Sequence, residues 1–274
     1  MREPAVAGAD GKADWTAIVL AGQRPGTDPL AQAFGEHWKA LVKVGGQPML
    51  DRVLRTLLGS HSIRQVVVLA QRPESLLHGP LAWAASHDRI ATCNSGDGIA
   101  ASVAKVAGSG AAPWPVLITT ADHPLLTPPM IEDFLSQCNE GDLCVGVVAR
   151  HTLEQAHPQS RRTWLKFADG SYTGANLFAA RSDRALPAFD LWSSAEQDRK
   201  HAWRLFLHFG PFLALRAVTR TIGLAHALRT AGKRLGLSAR LVVLGHADAA
   251  VDVDKLADHA LAQGILAARE DAGE

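Results

Sequence analysis

The sequence is poor in cysteine, and this shortage excludes two classes of protein. Its 274 residues include only three cysteines, Cys93, Cys138 and Cys144, with no C-x-x-C pair and no histidine cluster at zinc-like spacing. The chain therefore lacks the pattern of a disulfide-stapled secreted domain and of the common zinc modules. We expect these cysteines to be buried free thiols in a reducing compartment.

Long hydrophobic runs and an excess of one charge are also missing. One apolar stretch, residues 205–218, is interrupted by histidine, glycine, proline and arginine, which is too broken for a membrane-spanning helix. Lysine and arginine together number 28 against 27 aspartates and glutamates, so no overall field favours nucleic acid. Residues 1–14 lack the apolar core of a signal peptide and are predicted to be a disordered leader, which indicates a cytoplasmic protein.

Apolar runs and helical periodicities alternate through the first half of the chain. The apolar runs rich in β-branched residues predict buried strands, and helical signals separate them. Strands are predicted at 17–20, Ile63–Ala70, 89–93, Val116–Thr120 and Leu143–Ala149, and helices at 48–59, 73–85, 98–106 and 128–138. Strands joined by helical crossovers run parallel, so the sequence predicts an α/β fold with a Rossmann-like, doubly wound, mostly parallel sheet.

The pattern changes after residue 150. Strand-like pieces over residues 161–180 are broken by an Asp-Gly hairpin signal and predict a small β insert laid over the sheet. Residues 202–235 are predicted to be a helical segment with an interruption at a Gly-Pro pair. A strand at 241–244 and a final helix close the fold.

The loop after the first strand has the composition of a phosphate site. The buried strand stops at Gly22, and the following residues include Arg24, Gly26 and then Lys39. Backbone N–H groups and two cations can converge there at the carboxyl end of a strand, where open α/β sheets bind ligands. This loop therefore predicts binding of a polyphosphate.

Four motifs in order resemble a known family. They are V-L-A-G at 19–22, K-A-L-V-K-V-G-G-Q-P-M-L at 39–50, T-T-A-D-H-P-L-L-T at 119–127 and V-D-V-D-K-L-A-D at 251–258. This series resembles the MobA-like nucleotidyltransferases related to molybdenum-cofactor guanylyltransferase and, more widely, sugar-1-phosphate nucleotidyltransferases. The likeness covers roughly residues 16–180 and 241–265. It implies a fold of the nucleotide-diphospho-sugar transferase type, a phosphate-binding loop, a Mg²⁺ held by two acidic positions, and release of pyrophosphate.

The resemblance also implies nucleotide-binding positions. In the first loop these are Leu20, Ala21, Gly22, Arg24 and Lys39, of which Arg24 and Lys39 also count as catalytic. Arg24 follows Leu20 by four residues, closer than in relatives, which indicates an altered phosphate grip. The segment that contacts base and ribose is matched by Asn94, Gly96 and Ser102, although an ordinary strand-to-helix turn also explains these residues.

Aspartates supply the implied metal site. Asp122 follows the strand Val116–Thr120 and is predicted to be catalytic and to bind Mg²⁺, because a carboxylate at this edge of the sheet can meet a hard cation shared with phosphates. The second ligand comes from Asp254, which the family pattern favours, or from Asp252. A helix-capping role remains open for either of the two.

Acceptor contacts are implied for Asn176, with Thr163 and Lys166 in the same segment; a structural role for a hairpin asparagine is the alternative.

The predicted elements form a single domain, 15–270. We divide it into a nucleotide-binding half at 15–150, an acceptor-side insert at 151–200, a helical segment at 201–240 and a closing strand and helix at 241–270.

The sequence as a whole predicts a magnesium-dependent transferase that joins a nucleoside monophosphate from an NTP to a phosphorylated small-molecule acceptor. One alternative is a glycosyltransferase, because residues 252–254 form a D-x-D motif. Another is a nucleotide-binding regulatory protein without turnover. The surplus of apolar side chains over 202–235 has three explanations: burial in the protein's own core, self-association, or peripheral contact with a membrane surface or a lipid-linked acceptor.

Overall fold

A computed structural model describes residues 14–23, 26–96, 98–197 and 210–272. Side chains at 195–197 and 211 are not described. The first 13 residues of the predicted leader (1–14), Arg24 and part of the predicted helical segment (202–209) lie outside the described residues.

Strands occur where the apolar runs predict them. The structure has β1 Trp15–Leu20, β2 Lys43–Val44, β3 Gln47–Pro48, β4 Ile63–Ala70, β5 Ile90–Asn94, β6 Val116–Thr120, β7 Leu143–Ala149, β8 Leu165–Phe167, β9 Gly170–Ala180 and β10 Ala239–Leu244. β2 and β3 form a separate antiparallel pair, and the rest belong to one sheet. The predicted bounds of β4, β6 and β7 are confirmed.

The sheet is mixed but mostly parallel, as predicted. Its strand order is β10-β7-β9-β6-β1-β4-β5, with β8 paired to β9. All pairs of neighbours are parallel except those that involve β9, which runs antiparallel to β6, β7 and β8. The chain extends outward from β1 through β4 and β5 and then returns to place β6 on the other side of β1. The gap between the carboxyl ends of β1 and β6 is therefore the switch point where doubly wound sheets bind ligands.

Helices cover both faces of the sheet. They are α1 Pro29–Ala33, α2 Met49–Gly59, α3 Ala82–Ala85, α4 Ile99–Val106, α5 Pro128–Ser136, α6 Arg150–Ala156, α7 Leu186–Gln197, α8 Pro211–Val218, α9 Leu224–Arg234 and α10 Leu256–Ala272. In β1, Ala17 and Val19 face one apolar cluster, which contains side chains of α2, α5 and α10. Ile18 faces the other cluster, with side chains of α4, α7 and α9. This alternation explains why residues 17–20 of the strand are all apolar, since neither face of the sheet meets water there.

Two sequence predictions need correction. Residues 73–85 do not form one helix: 3-10 turns at Pro73–Ser75 and Gly79–Leu81 precede the short α3, because Gly79 has a φ of +54° and Pro80 follows it. The hairpin over 165–180 forms, but β9 does not lie over the sheet. It enters the sheet between β6 and β7, where Leu177, Ala179 and Ala180 are fully buried.

The three cysteines are free thiols that differ in burial, and the helical segment is only partly buried. Cys138 and Cys144 are buried free thiols, while Cys93 is only half-buried, on the edge strand β5. None of the helices in the described residues is both long and apolar enough to span a bilayer. In α8, Leu213 is buried, whereas Phe212 and Val218 are 69% and 77% exposed.

Candidate active site

The site lies at the carboxyl ends of β4, β1 and β6. Backbone hydrogen bonds continue past the strand ends, from Ala21 N to Leu69 O at 3.0 Å and from Ala121 N to Leu20 O at 3.0 Å. These bonds hold the loop after β1 beside the loop after β6. The predicted positions Leu20, Ala21 and Gly22 therefore lie at the switch point, next to the T-A-D-H-P segment.

Two glutamines fix the loop after β1. Gln23 N donates to Gln71 Oε1 at 2.9 Å, and Gln71 Nε2 donates back to Gln23 O at 2.8 Å. The Gln23 side chain also accepts a hydrogen bond from Lys39 N at 2.9 Å and donates to His37 O at 3.2 Å. A Cβ on Gly22 would lie 3.0 Å from Gln71 Oε1, so a glycine here lets the loop backbone approach the Gln71 side chain. Sequence reasoning missed both glutamines, although Gln23 directly follows the V-L-A-G motif.

Lys39 brings together segments that are distant in sequence. It begins a 3-10 turn, Lys39–Leu41, and its Nζ lies 2.5 Å from Asp122 Oδ2 and also contacts Asp254 Oδ1. The lysine side chain is 18% exposed. Burial alone would lower the pKa of Lys39, but attraction to Asp122 and then to Asp254, with hydrogen bonds to both, outweighs burial and raises the pKa. The ammonium group is therefore charged at neutral pH and is not a free, solvated loop lysine.

Asp122 and Asp254 are suited to a hard cation. Val253 N donates to Asp122 O at 2.9 Å, which joins the two acidic loops through their backbones. Asp122 Oδ1 is buried and has no hydrogen-bond partner among the described residues. The described residues contain no group of three or more histidine, cysteine or acidic side chains able to hold a metal ion. Two carboxylates with a spare oxygen fit Mg²⁺, which keeps several waters and shares substrate phosphates.

Asp252 has different surroundings from Asp254. Its Oδ1 is ion-paired with Arg162 Nη1, its Oδ2 accepts a hydrogen bond from Asn176 Nδ2 at 3.1 Å, and its backbone oxygen accepts one from Arg162 Nη2 at 3.0 Å. Burial raises the pKa of Asp252, and the Arg162 charge only partly opposes that effect. Asn176 has a φ of +50°, so its backbone is in the left-handed region. Sequence reasoning missed Arg162, whose signal was the Arg161-Arg162 doublet just before Thr163.

The other predicted acceptor residues lie near this network in sequence. Thr163 directly follows Arg162 and is exposed. Lys166 is exposed on β8, where it pairs with Ser171 of β9. The structure thus brings Asn176 to Asp252, while the acceptor roles of Thr163 and Lys166 stay predictions.

The turn that is predicted to contact the nucleotide is held by neutral hydrogen bonds. Asn94 ends β5 and is exposed, and Ser95 N donates to Ala70 O at 2.8 Å. The hydroxyl of the buried Ser102 accepts from Gly96 N at 2.9 Å and donates to Gly98 O at 2.6 Å. Ser102 therefore staples the turn before α4. Contacts of Asn94, Gly96 and Ser102 with base or ribose remain predictions.

His123, next to Asp122, is 1% exposed. Burial lowers its pKa to about 4, despite the nearby Asp122 charge. The ring is therefore neutral at pH 7 and contributes no positive charge to the site.

A lysine thus bridges carboxylates from two loops at the switch point of a doubly wound sheet, an arrangement of charges that suits the transfer of a phosphorylated group. The chain belongs to the MobA-like NTP transferase domain family, whose model matches residues 17–204. No curated protein sequence matches the chain significantly.

Solved structures agree with this assignment. A hypothetical transferase from Thermus thermophilus is 26% identical, with a TM-score of 0.73 over 89% of this chain and 99% of that one. A CMP:2-keto-3-deoxy-manno-octonic acid synthetase complexed with CTP has 14% identity and a TM-score of 0.57 over 93% and 100%. The 4-diphosphocytidyl-2C-methyl-D-erythritol synthase of Anaerococcus prevotii has 10% identity and a TM-score of 0.54 over 94% and 100%. The last two similarities concern the fold alone.

Proposed function

We propose that this nucleotidyltransferase is magnesium-dependent and transfers a nucleoside monophosphate from an NTP to a phosphorylated small-molecule acceptor in the cytoplasm. An acceptor phosphate oxygen forms a bond to the α-phosphorus, the α–β phosphoanhydride bond breaks, and pyrophosphate leaves. The observation that carries the proposal is the contact of Lys39 with both Asp122 and Asp254, since it concentrates one fixed cation and two carboxylates at the switch point.

The chain's residues supply mainly position and charge. Displacement at a phosphoryl centre needs little covalent help, but it needs negative charge neutralised and the attacking and leaving oxygens held in line. Lys39 is a charged, partly buried donor that can bind triphosphate oxygens, and it can leave the carboxylates when a cation binds them. When bound, Mg²⁺ would be held by Asp122 and Asp254 and would neutralise phosphate charge.

The test is pyrophosphate release by the full chain with each of the common ribonucleoside triphosphates, Mg²⁺ and pooled sugar phosphates and polyol phosphates. We expect release with one triphosphate that depends on both Mg²⁺ and an acceptor. Sugar transfer from a nucleotide sugar without pyrophosphate release would instead support the glycosyltransferase reading of the D-x-D motif. Triphosphate binding without turnover under all these conditions would contradict the proposed reaction and favour a regulatory role.

We further propose that the exposed apolar face of α8 is a contact surface. Phe212, Leu215 and Val218 are exposed on α8, and the Arg216 guanidinium lies 5.9 Å from the ring centroid of Phe212. An exposed apolar helix face beside arginines suits either self-association or a peripheral membrane contact. The sequence-based prediction of such a contact over residues 202–235 therefore stays a proposal.

A further inference from the structure

Arg162 is a charged residue with little access to water. Its side chain is only 8% exposed, and its main partner, Asp252, is 90 residues away in the sequence. A buried arginine is costly unless it is paired, and loss of one member of such a pair leaves the other charge uncompensated. This pair therefore joins the segment before β8 to the acidic loop before α10.

The contacts of Arg162 reach the backbone that carries Asp254. Beyond its contacts with Asp252, Arg162 Nη2 lies 3.5 Å from Asp258 Oδ1. Asp258 Oδ2 in turn accepts hydrogen bonds from Asp254 N at 3.2 Å and Lys255 N at 3.1 Å. Asp258 therefore connects Arg162 to the backbone N–H groups of Asp254 and Lys255.

The two aspartates of the V-D-V-D motif divide into different roles through this network. Both carboxylate oxygens of Asp252 are engaged, one by Arg162 and one by Asn176. The carboxylate of Asp254 contacts Lys39, and its side chain is 57% exposed. Asp252 is an internal anchor, while Asp254 is exposed and contacts Lys39.

We infer that Arg162 is a positioning residue for the transferase reaction. By pairing with Asp252 and contacting Asp258, it fixes the loop that carries Asp254 next to Lys39. This inference rests on the proposed function. Its physical basis is that reacting groups tolerate little misplacement, and an error of about 1 Å can cost about 100-fold in rate. The network also separates the roles of Asp252 and Asp254, which the resemblance alone left as alternatives.

The experiment compares Arg162→Met, Arg162→Lys, Asp252→Asn and the double variant Arg162→Met with Asp252→Asn. Arg240→Met is the matched control, because Arg240 is exposed on the edge strand β10 and pairs with the exposed Glu140. Each variant is measured for kcat and KM, for melting temperature, and for Mn²⁺ affinity by electron paramagnetic resonance in the presence of a non-hydrolysable NTP analogue. The Mn²⁺ measurement does not require turnover.

We expect Arg162→Met to lower kcat about 100-fold and Mn²⁺ affinity about tenfold, while KM for the NTP changes by less than about threefold. Arg162→Lys should lose about tenfold in kcat, because an ammonium group cannot make the forked contacts of a guanidinium. Asp252→Asn should keep Mn²⁺ affinity within about threefold and, in the double variant, restore at least about tenfold of the lost kcat by removing the unpaired buried carboxylate. The control should match the unmodified protein.

Three results would overturn the inference. Loss of Mn²⁺ affinity in Asp252→Asn would make Asp252 a ligand and not an anchor. Unchanged kcat and Mn²⁺ affinity in Arg162→Met would remove the positioning role, and so would losses that simply multiply in the double variant. If Arg162→Met does not fold, the same criteria apply to Arg162→Lys. Failure of the proposed reaction is distinguishable, because it would leave the unmodified protein without turnover while the Mn²⁺ comparison still reports on the loop.

Discussion

The two sides of the candidate site, the cation side around Lys39 and the nucleotide side, which is the turn before α4 that is predicted to contact the nucleotide, are held together by different forces. On the cation side, Lys39 joins Asp122 and Asp254, which are 83 and 215 residues away, through charged contacts. On the nucleotide side, the turn before α4 is stapled over six residues by the neutral hydroxyl of Ser102. Charged contacts in a partly buried site are strong and act on the reacting phosphates, whereas neutral local bonds mainly shape a loop. We therefore expect substitutions on the cation side to abolish chemistry and those on the nucleotide side to change stability and substrate affinity.

The largest effect should come from Asp122→Asn. Its carboxylate has one oxygen on Lys39 and one buried without a partner among the described residues, so the loss of charge should affect both the lysine and any bound cation. We expect kcat, measured as pyrophosphate release, to fall by at least about 1,000-fold. The circular dichroism spectrum should show that the fold is intact. Asp190→Asn, an exposed change on α7, is the control. Unaltered activity in Asp122→Asn would remove this residue from the site.

Lys39→Ala should come next. In the proposed reaction Lys39 is a charged donor to the triphosphate and matters more as negative charge builds on the leaving pyrophosphate, so kcat/KM should fall by at least about 100-fold. Lys105→Ala on α4 removes an exposed lysine of the same length and should have no effect. A loss below about threefold at Lys39 would contradict its proposed contact with the triphosphate.

Asp254→Asn and Asp252→Asn sharpen the comparison within the cation side. We expect a loss of about 100-fold in kcat at Asp254, which faces Lys39, and about tenfold at Asp252, which is anchored by Arg162. Steady-state kinetics at saturating Mg²⁺ decides the order. Equal losses, or a larger one at Asp252, would contradict the division of roles.

Ser102→Ala tests the nucleotide side. Loss of the hydroxyl leaves Gly96 N without its hydrogen-bond acceptor, so the free energy of unfolding should fall by about 1 kcal/mol. The KM for the NTP should rise several-fold while kcat changes little, because the turn, and not the reacting centre, is loosened. Denaturant unfolding and initial rates measure the two effects, with the exposed Ser136→Ala as control. A collapse of kcat would place this turn among the charged machinery.

The smallest effect on chemistry should come from α8. Phe212→Glu with Leu215→Glu places charges on an exposed apolar face, so it should weaken self-association or binding to anionic vesicles and keep kcat within about twofold. Light scattering and vesicle sedimentation are the measurements, and Arg220→Glu separates charge from apolar contact. Unchanged mass and unchanged vesicle binding would reject both forms of the proposal.

Sequence patterns predicted what depends on neighbours along the chain. The strands Ile63–Ala70, Val116–Thr120 and Leu143–Ala149 could be bounded because each is an apolar run buried on both faces. The position of β9 between β6 and β7 could not, because strand pairing between remote segments leaves no local signal. Similarly, the motifs placed Lys39, Asp122 and Asp254 at one site, but nothing in the spacing of Arg162 and Asp252 showed that they pair.

Labelled phosphorus in the NTP shows directly whether the protein transfers a nucleotidyl group. The full chain is incubated with Mg²⁺, an accepted phosphorylated acceptor and an NTP labelled at either the α or the γ position. We expect the α label to appear in the acceptor product and the γ label in pyrophosphate, in equal amounts. An α label that stays in free nucleotide, or a γ label released as orthophosphate, would contradict it.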